Sequence, residues 1–233
     1  MKRKSILIFS YSIIIVCFLI GILFGNRAVT VMVEKSPIVR KQTIIIDAGH
    51  GGVDGGATSS TGKLESAFNL EIALRLNDLL CLLGHNTKMI RTTDRSVYTA
   101  GDTIAQKKIS DLKERVRIVN ETENGILLSI HQNNFSDSRY YGAQVFYGSG
   151  EGSASLAKEL QASFVSILNP GSRRLSKKSE GIYLMDHIKH TGVLIECGFL
   201  SNPEEEAKLR SPDYQKKLVC IISSQVSGFL SNT

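Results

Sequence analysis

The sequence predicts an α/β fold: a single twisted, mostly parallel sheet of about six strands with helices on both faces, preceded by an N-terminal transmembrane signal-anchor. Two observations predict the sheet. Short apolar runs rich in β-branched residues recur along the chain, the first at residues 43–47, and such runs are typical of buried strands. Segments with apolar residues at helical spacing separate them, and strands that alternate with helices form mostly parallel sheets covered on both faces.

The N-terminal segment predicts the anchor. Three cations at residues 2–4 precede an apolar run at residues 6–24, which is 19 residues long and contains no charge. About 20 residues cross a bilayer, whereas the apolar core of a cleaved signal peptide spans about 7–15 residues. An uncleaved anchor is therefore favoured over a signal peptide. Because basic residues stay in the cytoplasm, the rest of the chain is expected outside it, in a membrane-anchored or exported protein.

Length and charge limit the domain organisation and the partners that the rest of the chain can have. The chain of 233 residues divides into an anchor at 1–26, a linker at 27–42 and one domain at 43–233. The net charge is +6, but from Ser36 onward 23 Lys and Arg face 21 Asp and Glu. A nucleic-acid partner is not expected from so small an excess. Scattered cysteines at 81, 197 and 220 predict buried free thiols, with Cys81–Cys197 the only pair that merits a check.

The first strand ends in a glycine-rich loop headed by His50. Five glycines lie within residues 49–56 and open backbone conformations that other residues avoid. A phosphate loop is disfavoured, because Gly-x-Gly-x-x-Gly fails at Asp54 and no Gly-Lys-Ser/Thr follows. A His at the carboxyl end of a strand lies where α/β sheets place ligands.

The remaining elements follow from periodicity and caps. Apolar spacing predicts helices at 65–83 and 153–168, and Ser110 is the candidate N-cap of a short helix at 111–120. Residues 92–110 are expected to form a long polar loop. Proline-containing caps predict two C-terminal helices, one after Asn202 and one from Pro212 to about Phe229. Further strands are expected at 87–91, 126–131, 143–147, 181–184 and 192–196.

Three of these strands end in residues that bind metals or move protons. His50 and His131 end two strands, Glu196 ends a third, and Glu65 begins the first helix after the glycine loop. Neighbouring parallel strands end at one edge of a sheet, so these side chains are expected to converge. Two His and one carboxylate with an open fourth position form the ligand set of a hydrolytic zinc site. Glu196, outside that set, is the candidate proton carrier.

Four segments resemble the zinc-dependent N-acetylmuramoyl-L-alanine amidases of the amidase-3 family. They are Ile-Asp-Ala-Gly-His-Gly-Gly-x-Asp-x-Gly-Ala at 46–57, Glu65, Ser-Ile-His-x-Asn at 129–133 and Ile-Glu-Cys-Gly-Phe-Leu-Ser-Asn at 195–202. The resemblance runs from about residue 43 to the C-terminus. It implies Zn²⁺ held by His50, Glu65 and His131, with Glu196 as the catalytic carboxylate. The implied reaction cleaves the amide between N-acetylmuramic acid and L-alanine in peptidoglycan.

Residues 92–110 and the segment after His131 look more like the germination-specific amidases of spore-forming bacteria. This implies an extracytoplasmic enzyme of the spore cortex that helps to make muramic-δ-lactam. Gln132 and Asn134 replace the small residues common in the family after the second zinc histidine, so the rim of the substrate groove is expected to depart from the family pattern. His187 and His190, in a polar turn before the last strand, are interpreted as lying outside the site.

Two other functions remain open at this point. The first is a non-catalytic or partner-dependent peptidoglycan-binding protein on the same fold, which would bind zinc weakly or only with an accessory or activator protein. The second is a zinc peptidase of different specificity, because only the family resemblance points to the muramoyl bond. The membrane, through the anchor, and peptidoglycan are the partners that the sequence predicts.

Overall fold

The computed structural model describes residues 42–232, which carry a six-stranded sheet. In chain order its strands are β1 (Thr43–Ala48), β2 (Asn86–Met89), β3 (Gly125–Asn133), β4 (Gln144–Tyr147), β5 (Lys177–Lys178) and β6 (Thr191–Phe199). Across the sheet the order is β2-β1-β3-β6-β4-β5. Every neighbouring pair is parallel except β4 with β6. The prediction of a mostly parallel sheet of six strands is confirmed.

Helices connect most of these strands. Those of the described residues are α1 (Glu65–Leu82), α2 (Ile104–Glu121), α3 (Ser153–Leu168), α4 (Tyr183–His187), α5 (Pro203–Arg210) and α6 (Pro212–Ser231). The predicted start of α1 at Glu65, both ends of α3, and the proline starts of α5 and α6 are confirmed. Asn202 caps α5 by accepting hydrogen bonds from the backbone N–H groups of Glu204 and Glu205.

The central strands are buried on both faces. In β1, Ile44 and Ile46 join the larger apolar cluster with residues of α1, α3 and α6, while Ile45 joins the smaller cluster with Val119 of α2 and Leu184 of α4. A continuous β-branched run suits such a strand, because both of its faces need apolar side chains. The prediction of helices on both faces is therefore confirmed.

The polar segment 92–110 is shorter as a loop than predicted, because α2 begins at Ile104. Thr103 is its N-cap: the Thr103 side chain accepts from the Gln106 N–H, and the Gln106 side chain accepts from the Thr103 N–H. This capping box, Thr-x-x-Gln, was present in the sequence. Ser110 instead accepts hydrogen bonds from the backbone of Thr99 and Ala100.

The strand predicted at residues 181–184 is wrong. Gly181 has φ +76°, which breaks an extended run, and Tyr183–His187 form helix α4. Leu184, Met185 and Ile188 then fall on the side of α4 that packs under the sheet. The strand that brings the sheet to six is instead β5, whose two residues pair with β4.

Two other expectations concern the cysteines and the anchor. Cys81, Cys197 and Cys220 are all free thiols, but only Cys197 is buried, so the prediction of buried thiols is wrong for the other two. The signal-anchor at residues 1–26 lies outside the described residues, as does nearly all of the linker, and the predicted boundaries stay predictions. Among residues 42–232, none of the helices has the length and apolar character needed to span a bilayer.

Candidate metal centre

The loop after β1 holds His50 in an unusual backbone conformation. His50 has φ +60°, and Gly51 and Gly52 after it have φ +125° and +59°. A left-handed conformation is uncommon for a residue other than glycine and needs support from its surroundings. Two buried arginines supply that support by binding the carbonyl oxygens of the loop.

Arg91, two residues after the end of β2, is fully buried. Its Nε donates to the Ala48 carbonyl at 2.7 Å, and its Nη2 donates to the carbonyls of Gly49 at 2.9 Å and Ser66 at 2.8 Å. One guanidinium thus joins the end of β1 to the first turn of α1. The loop that carries His50 and the helix that carries Glu65 are fixed to each other.

Arg115 of α2 holds the other side of the loop. It is buried, forms ion pairs with Asp47 and Asp111, and donates through Nη2 to the His50 carbonyl at 2.7 Å. Burial lowers the pKa of Arg115, but Asp47 and Asp111 outweigh that effect and raise it above its ordinary value. Burial alone would raise the pKa of Asp47. The positive charge of Arg115 and the hydrogen bond from Ser129 lower it below its ordinary value instead.

Replacing Arg115 by methionine is expected to destabilise the fold by about 3–5 kcal/mol, because it leaves the buried Asp47 carboxylate without its cation. Urea unfolding of the two proteins measures the difference. Arg117→Met is the matched control on the same helix, since Arg117 is exposed and pairs only with surface glutamates; no measurable loss is expected there. Equal losses in both variants would show that the buried pair has no special role.

The three predicted ligands meet at the carboxyl edge of the sheet. Glu65 Oε1 lies 3.0 Å from His131 Nδ1, and Glu65 Oε2 lies 3.2 Å from His50 Nε2. One donor atom from each residue can be chosen so that all three lie within 4.8 Å of one another. Among residues 42–232, His50, Glu65 and His131 are the His, Cys, Asp or Glu side chains whose donor atoms lie close enough together to hold one metal ion.

The donor set fits zinc. Zn²⁺ takes His nitrogen and carboxylate oxygen at about 2.0–2.2 Å, which places neighbouring tetrahedral ligands about 3.3–3.6 Å apart. The two N···O distances are within a few tenths of an ångström of that spacing. Glycine makes the approach feasible: a Cβ on Gly49 would lie 2.2 Å from His131 Nε2, and one on Gly56 would lie 2.6 Å from Glu65 Oε2.

The electrostatics of the site favour a positive charge between these residues. Burial would raise the pKa of Glu65, but its hydrogen bonds with His131 and His50 lower it, so the carboxylate is ionised. Burial would lower the pKa of His50, yet Glu65 and Asp54 raise it to about 9. The anionic surroundings that stabilise a proton on His50 would stabilise a metal cation in its place.

Asp54 orients the first histidine. Its Oδ2 lies 2.8 Å from His50 Nδ1, and its Oδ1 forms an ion pair with Lys108 of α2, also at 2.8 Å. Carboxylates commonly hold the second ring nitrogen of a metal-binding His and thereby fix its tautomer. With Nδ1 bound to Asp54, Nε2 is the nitrogen that faces Glu65.

Glu196 stands beside the three ligands without joining them. It is the register partner of His131 on the neighbouring strand, and its Oε2 is buried with no hydrogen-bond partner among the described residues. Burial raises the pKa of Glu196 to about 7; the charge of His131 opposes the rise and that of Glu65 adds to it. A carboxyl group with such a pKa can both accept and release a proton near neutral pH.

A cavity of about 220 Å³ opens next to the site on the side of α2 and α4. Its apolar lining includes Leu112, Ile182 and Leu184. Its polar lining carries both signs of charge and comes from His50, His131, Lys108, Arg115, Asp47, Asp54 and Asp111. Its polar groups converge on the two histidines, as expected of a small ligand pocket.

Some residues of the site were missed or misplaced by the sequence analysis. Lys108 and Asn69 were not considered, yet Asn69 Nδ2 donates to Gly49 O at 3.1 Å and lies 3.3 Å from Glu65 Oε1. Gln132 is buried, and its side chain donates to Asn69 Oδ1, so it does not line an exposed groove rim. Its position follows from strand alternation, because β3 continues past His131 and places successive side chains on opposite faces.

His187 and His190 lie away from the site. His187 ends α4, where its Nδ1 lies 2.8 Å from the Tyr183 carbonyl. His190 precedes β6, and a Cβ on Gly125 at the start of β3 would lie 3.6 Å from its ring. Both therefore sit towards the amino ends of the strands, opposite the edge that carries His50 and His131.

Comparison with known proteins identifies the family. The family model for N-acetylmuramoyl-L-alanine amidase matches residues 44–227, which include every residue of the site. The chain belongs to the N-acetylmuramoyl-L-alanine amidase family. The predicted family and enzyme class are thus confirmed.

Relatives of this amidase agree with its family. It is 36% identical over 232 residues to the germination-specific N-acetylmuramoyl-L-alanine amidase of Bacillus subtilis, a match that covers 98% of this chain and 94% of the relative. The CwlD amidase of Clostridioides difficile, solved in complex with the GerS lipoprotein, superimposes with a TM-score of 0.78 at 36% identity and covers 82% of this amidase and 100% of that chain. An N-acetylmuramoyl-L-alanine amidase of Clostridium difficile 630 gives a TM-score of 0.71 at 29% identity, with 82% and 98% covered.

Proposed function

We propose that this amidase is a zinc-dependent hydrolase that cleaves the amide between N-acetylmuramic acid and L-alanine in the peptidoglycan of the spore cortex. One observation carries the proposal: His50, Glu65 and His131, from three separate elements, bring their donor atoms together directly beside Glu196. Ligand sets with two His and one carboxylate are characteristic of hydrolytic zinc.

The chain's own residues would hold the metal in a fixed orientation. His50 Nε2, His131 Nδ1 and the Glu65 carboxylate are the proposed ligands. Zinc bound there would supply Lewis acidity towards a water molecule and the scissile carbonyl. The Ala57 N–H at 3.0 Å and the Gln132 N–H at 3.2 Å each donate to the Glu65 carboxylate and keep it in place. Asp54 does the same for the His50 ring.

Glu196 is the proposed proton carrier. Hydrolysis adds a hydroxyl to the carbonyl carbon of the lactyl group and a proton to the nitrogen of L-alanine, as the C–N bond between them breaks. The Glu196 carboxylate would accept the proton that the water loses and deliver it to the leaving nitrogen. Its raised pKa suits both transfers, and its buried Oε2 has no hydrogen-bond partner within residues 42–232.

The relatives support the proposed location and partner. The Bacillus subtilis relative is germination-specific, and the Clostridioides difficile CwlD was solved with a lipoprotein. By analogy, this amidase acts outside the cytoplasm on the cortex, where amide cleavage leads to muramic-δ-lactam, and it has a lipoprotein partner. The predicted anchor at residues 1–26 would keep it at the membrane.

Mass spectrometry of digested cortex fragments tests the reaction. Zinc-loaded protein is expected to release free stem peptides that begin with L-alanine, together with muramic acid that has lost its stem. Cleavage at another amide of the stem would show a zinc peptidase of different specificity. No cleavage, even with zinc and a lipoprotein partner added, would favour the non-catalytic peptidoglycan-binding alternative.

A further inference from the structure

The loop between β3 and β4, residues 134–142, carries exposed aromatic rings next to the metal centre. Phe135 is 52% exposed and Tyr140 is 47% exposed. Their rings pack edge to face with centroids 5.0 Å apart, and Tyr140 stacks on the buried Phe199 at 6.2 Å. We call Phe135, Tyr140 and Phe199 the aromatic shelf. Large apolar side chains that stay exposed in a fixed cluster commonly mark a binding surface.

The shelf is held rigidly by the segment after β6. The Phe135 N–H donates to Ser201 Oγ at 3.1 Å, and Asn202 Nδ2 donates to the Ser138 carbonyl at 2.9 Å. At the end of the loop, the Gly142 N–H donates to the buried carboxylate of Glu205 at 2.7 Å. Three bonds to one segment fix the loop before any ligand arrives. Preorganisation of this kind lowers the entropic cost of binding.

The position of the shelf relates it to the substrate. The loop leaves β3 two residues after His131, and Phe199 lies three residues after Glu196, so the shelf stands at the same edge of the sheet as the metal centre. Its supports lead into α5, which packs with the larger apolar cluster. The cavity beside His50 and His131 opens instead towards α2 and α4. The supports of the shelf and the cavity therefore lie against opposite faces of the sheet, at the edge that carries the metal centre.

The two sides differ in chemistry, as do the two parts of a muramoyl-peptide. The faces of aromatic rings carry negative potential, so they attract the weakly positive C–H groups of a pyranose ring and disfavour carboxylates. The cavity is lined by charged side chains of both signs, among them Lys108 and Asp54, and by apolar side chains such as Leu184. It suits the polar amide groups and small aliphatic side chains of a stem peptide better than the apolar face of a sugar ring.

We infer that the aromatic shelf binds the sugar ring of the glycan strand that neighbours the muramic acid at the cleaved bond. This inference rests on the proposed function. Phe135 and Tyr140 would contact the apolar face of an N-acetylhexosamine, with Phe199 and the Arg174 guanidinium 5.3 Å from its ring as the support beneath. The shelf would then favour glycan chains over isolated muramoyl-peptides.

Kinetics on two substrates test this inference. Zinc-loaded protein of the whole chain is assayed on a single N-acetylmuramoyl-peptide and on a tetrasaccharide of alternating N-acetylglucosamine and N-acetylmuramic acid with stem peptides. Phe135→Ala and Tyr140→Leu are expected to raise KM about 3–10-fold for the tetrasaccharide, with kcat and all constants for the single muramoyl-peptide unchanged. Leucine keeps apolar area but removes the flat ring. Leu82→Ala, an exposed apolar change at the end of α1, is the control.

A binding measurement separates this inference from the proposed function. Chitotetraose, which has no peptide, is titrated into the protein and followed by the NMR signals of labelled tyrosine. Wild-type protein is expected to bind it, and Phe135→Ala, which keeps the Tyr140 reporter, to lose at least half of the effect, even if the protein cleaves neither substrate. Equal losses on both substrates, or chitotetraose binding that Phe135→Ala does not weaken, would overturn the inference.

Discussion

Replacing Glu196 by glutamine is expected to lower kcat for the muramoyl–alanine amide by about 10²–10⁴-fold while bound zinc stays in place. Glutamine has the shape of glutamate but cannot accept a proton from water. Because Glu196 lies beside the three ligands without joining them, the loss would appear in turnover and not in metal content. Steady-state kinetics and elemental analysis of the same preparation measure the two quantities.

Glu204→Gln is the matched control for this experiment. Glu204 is an exposed carboxylate in the first turn of α5, a few residues after the end of β6, and its loss should leave kcat unchanged. Thermal unfolding checks that both variants fold. If Glu196→Gln retains wild-type kcat, proton transfer belongs to another group. A joint loss of zinc and activity would instead mean that Glu196 helps to hold the metal.

The convergence of the site residues was predictable from the sequence, because it depends on the direction and order of the strands and not on how individual side chains pack. Once the runs ending at His50, His131 and Glu196 are interpreted as parallel strands, their ends must share one edge of the sheet. The order β1-β3-β6 then makes them neighbours. Glu65 follows, since the loop of residues 49–64 returns the chain from that edge into α1.

The support of the site was not predictable, because it involves main-chain groups of remote segments. Arg91 and Arg115 are charged residues on a strand end and a helix, and local patterns place such residues in solvent. Their burial depends on the carbonyls of residues 48–50, which no spacing rule connects to them. Strongly polar groups can be buried when each of their donors finds an acceptor.

The wrong elements have local causes. The strand predicted at 181–184 is a short apolar run, and such runs do not distinguish a strand from a buried helical turn. The predicted start of α2 is too late because it considers Ser110 alone as the N-cap and overlooks the capping box at Thr103, whose two reciprocal bonds outweigh a single candidate cap.

His131→Ala and His50→Ala are expected to abolish stoichiometric zinc binding, and Asp54→Asn to weaken it by about 10–100-fold. Each histidine variant removes one of three donors, whereas Asp54→Asn only loosens the ring of a donor that remains. Because the Glu65 carboxylate has both imidazoles as partners, either histidine variant also leaves a buried charge less well paired. Competition with a chromophoric chelator measures the affinities without reference to catalysis.

The other histidines provide the control for this series. His187→Ala and His190→Ala remove the same side chain near the opposite edge of the sheet, so both should bind zinc as the wild type does. Retention of zinc by His131→Ala would exclude the proposed ligand set. An equal decline in zinc affinity across all four histidine variants would show a general effect on folding, because only two of these side chains lie within reach of Glu65. The graded order, with Asp54→Asn between the ligand variants and the controls, therefore tests the ligands and their orientation in one measurement.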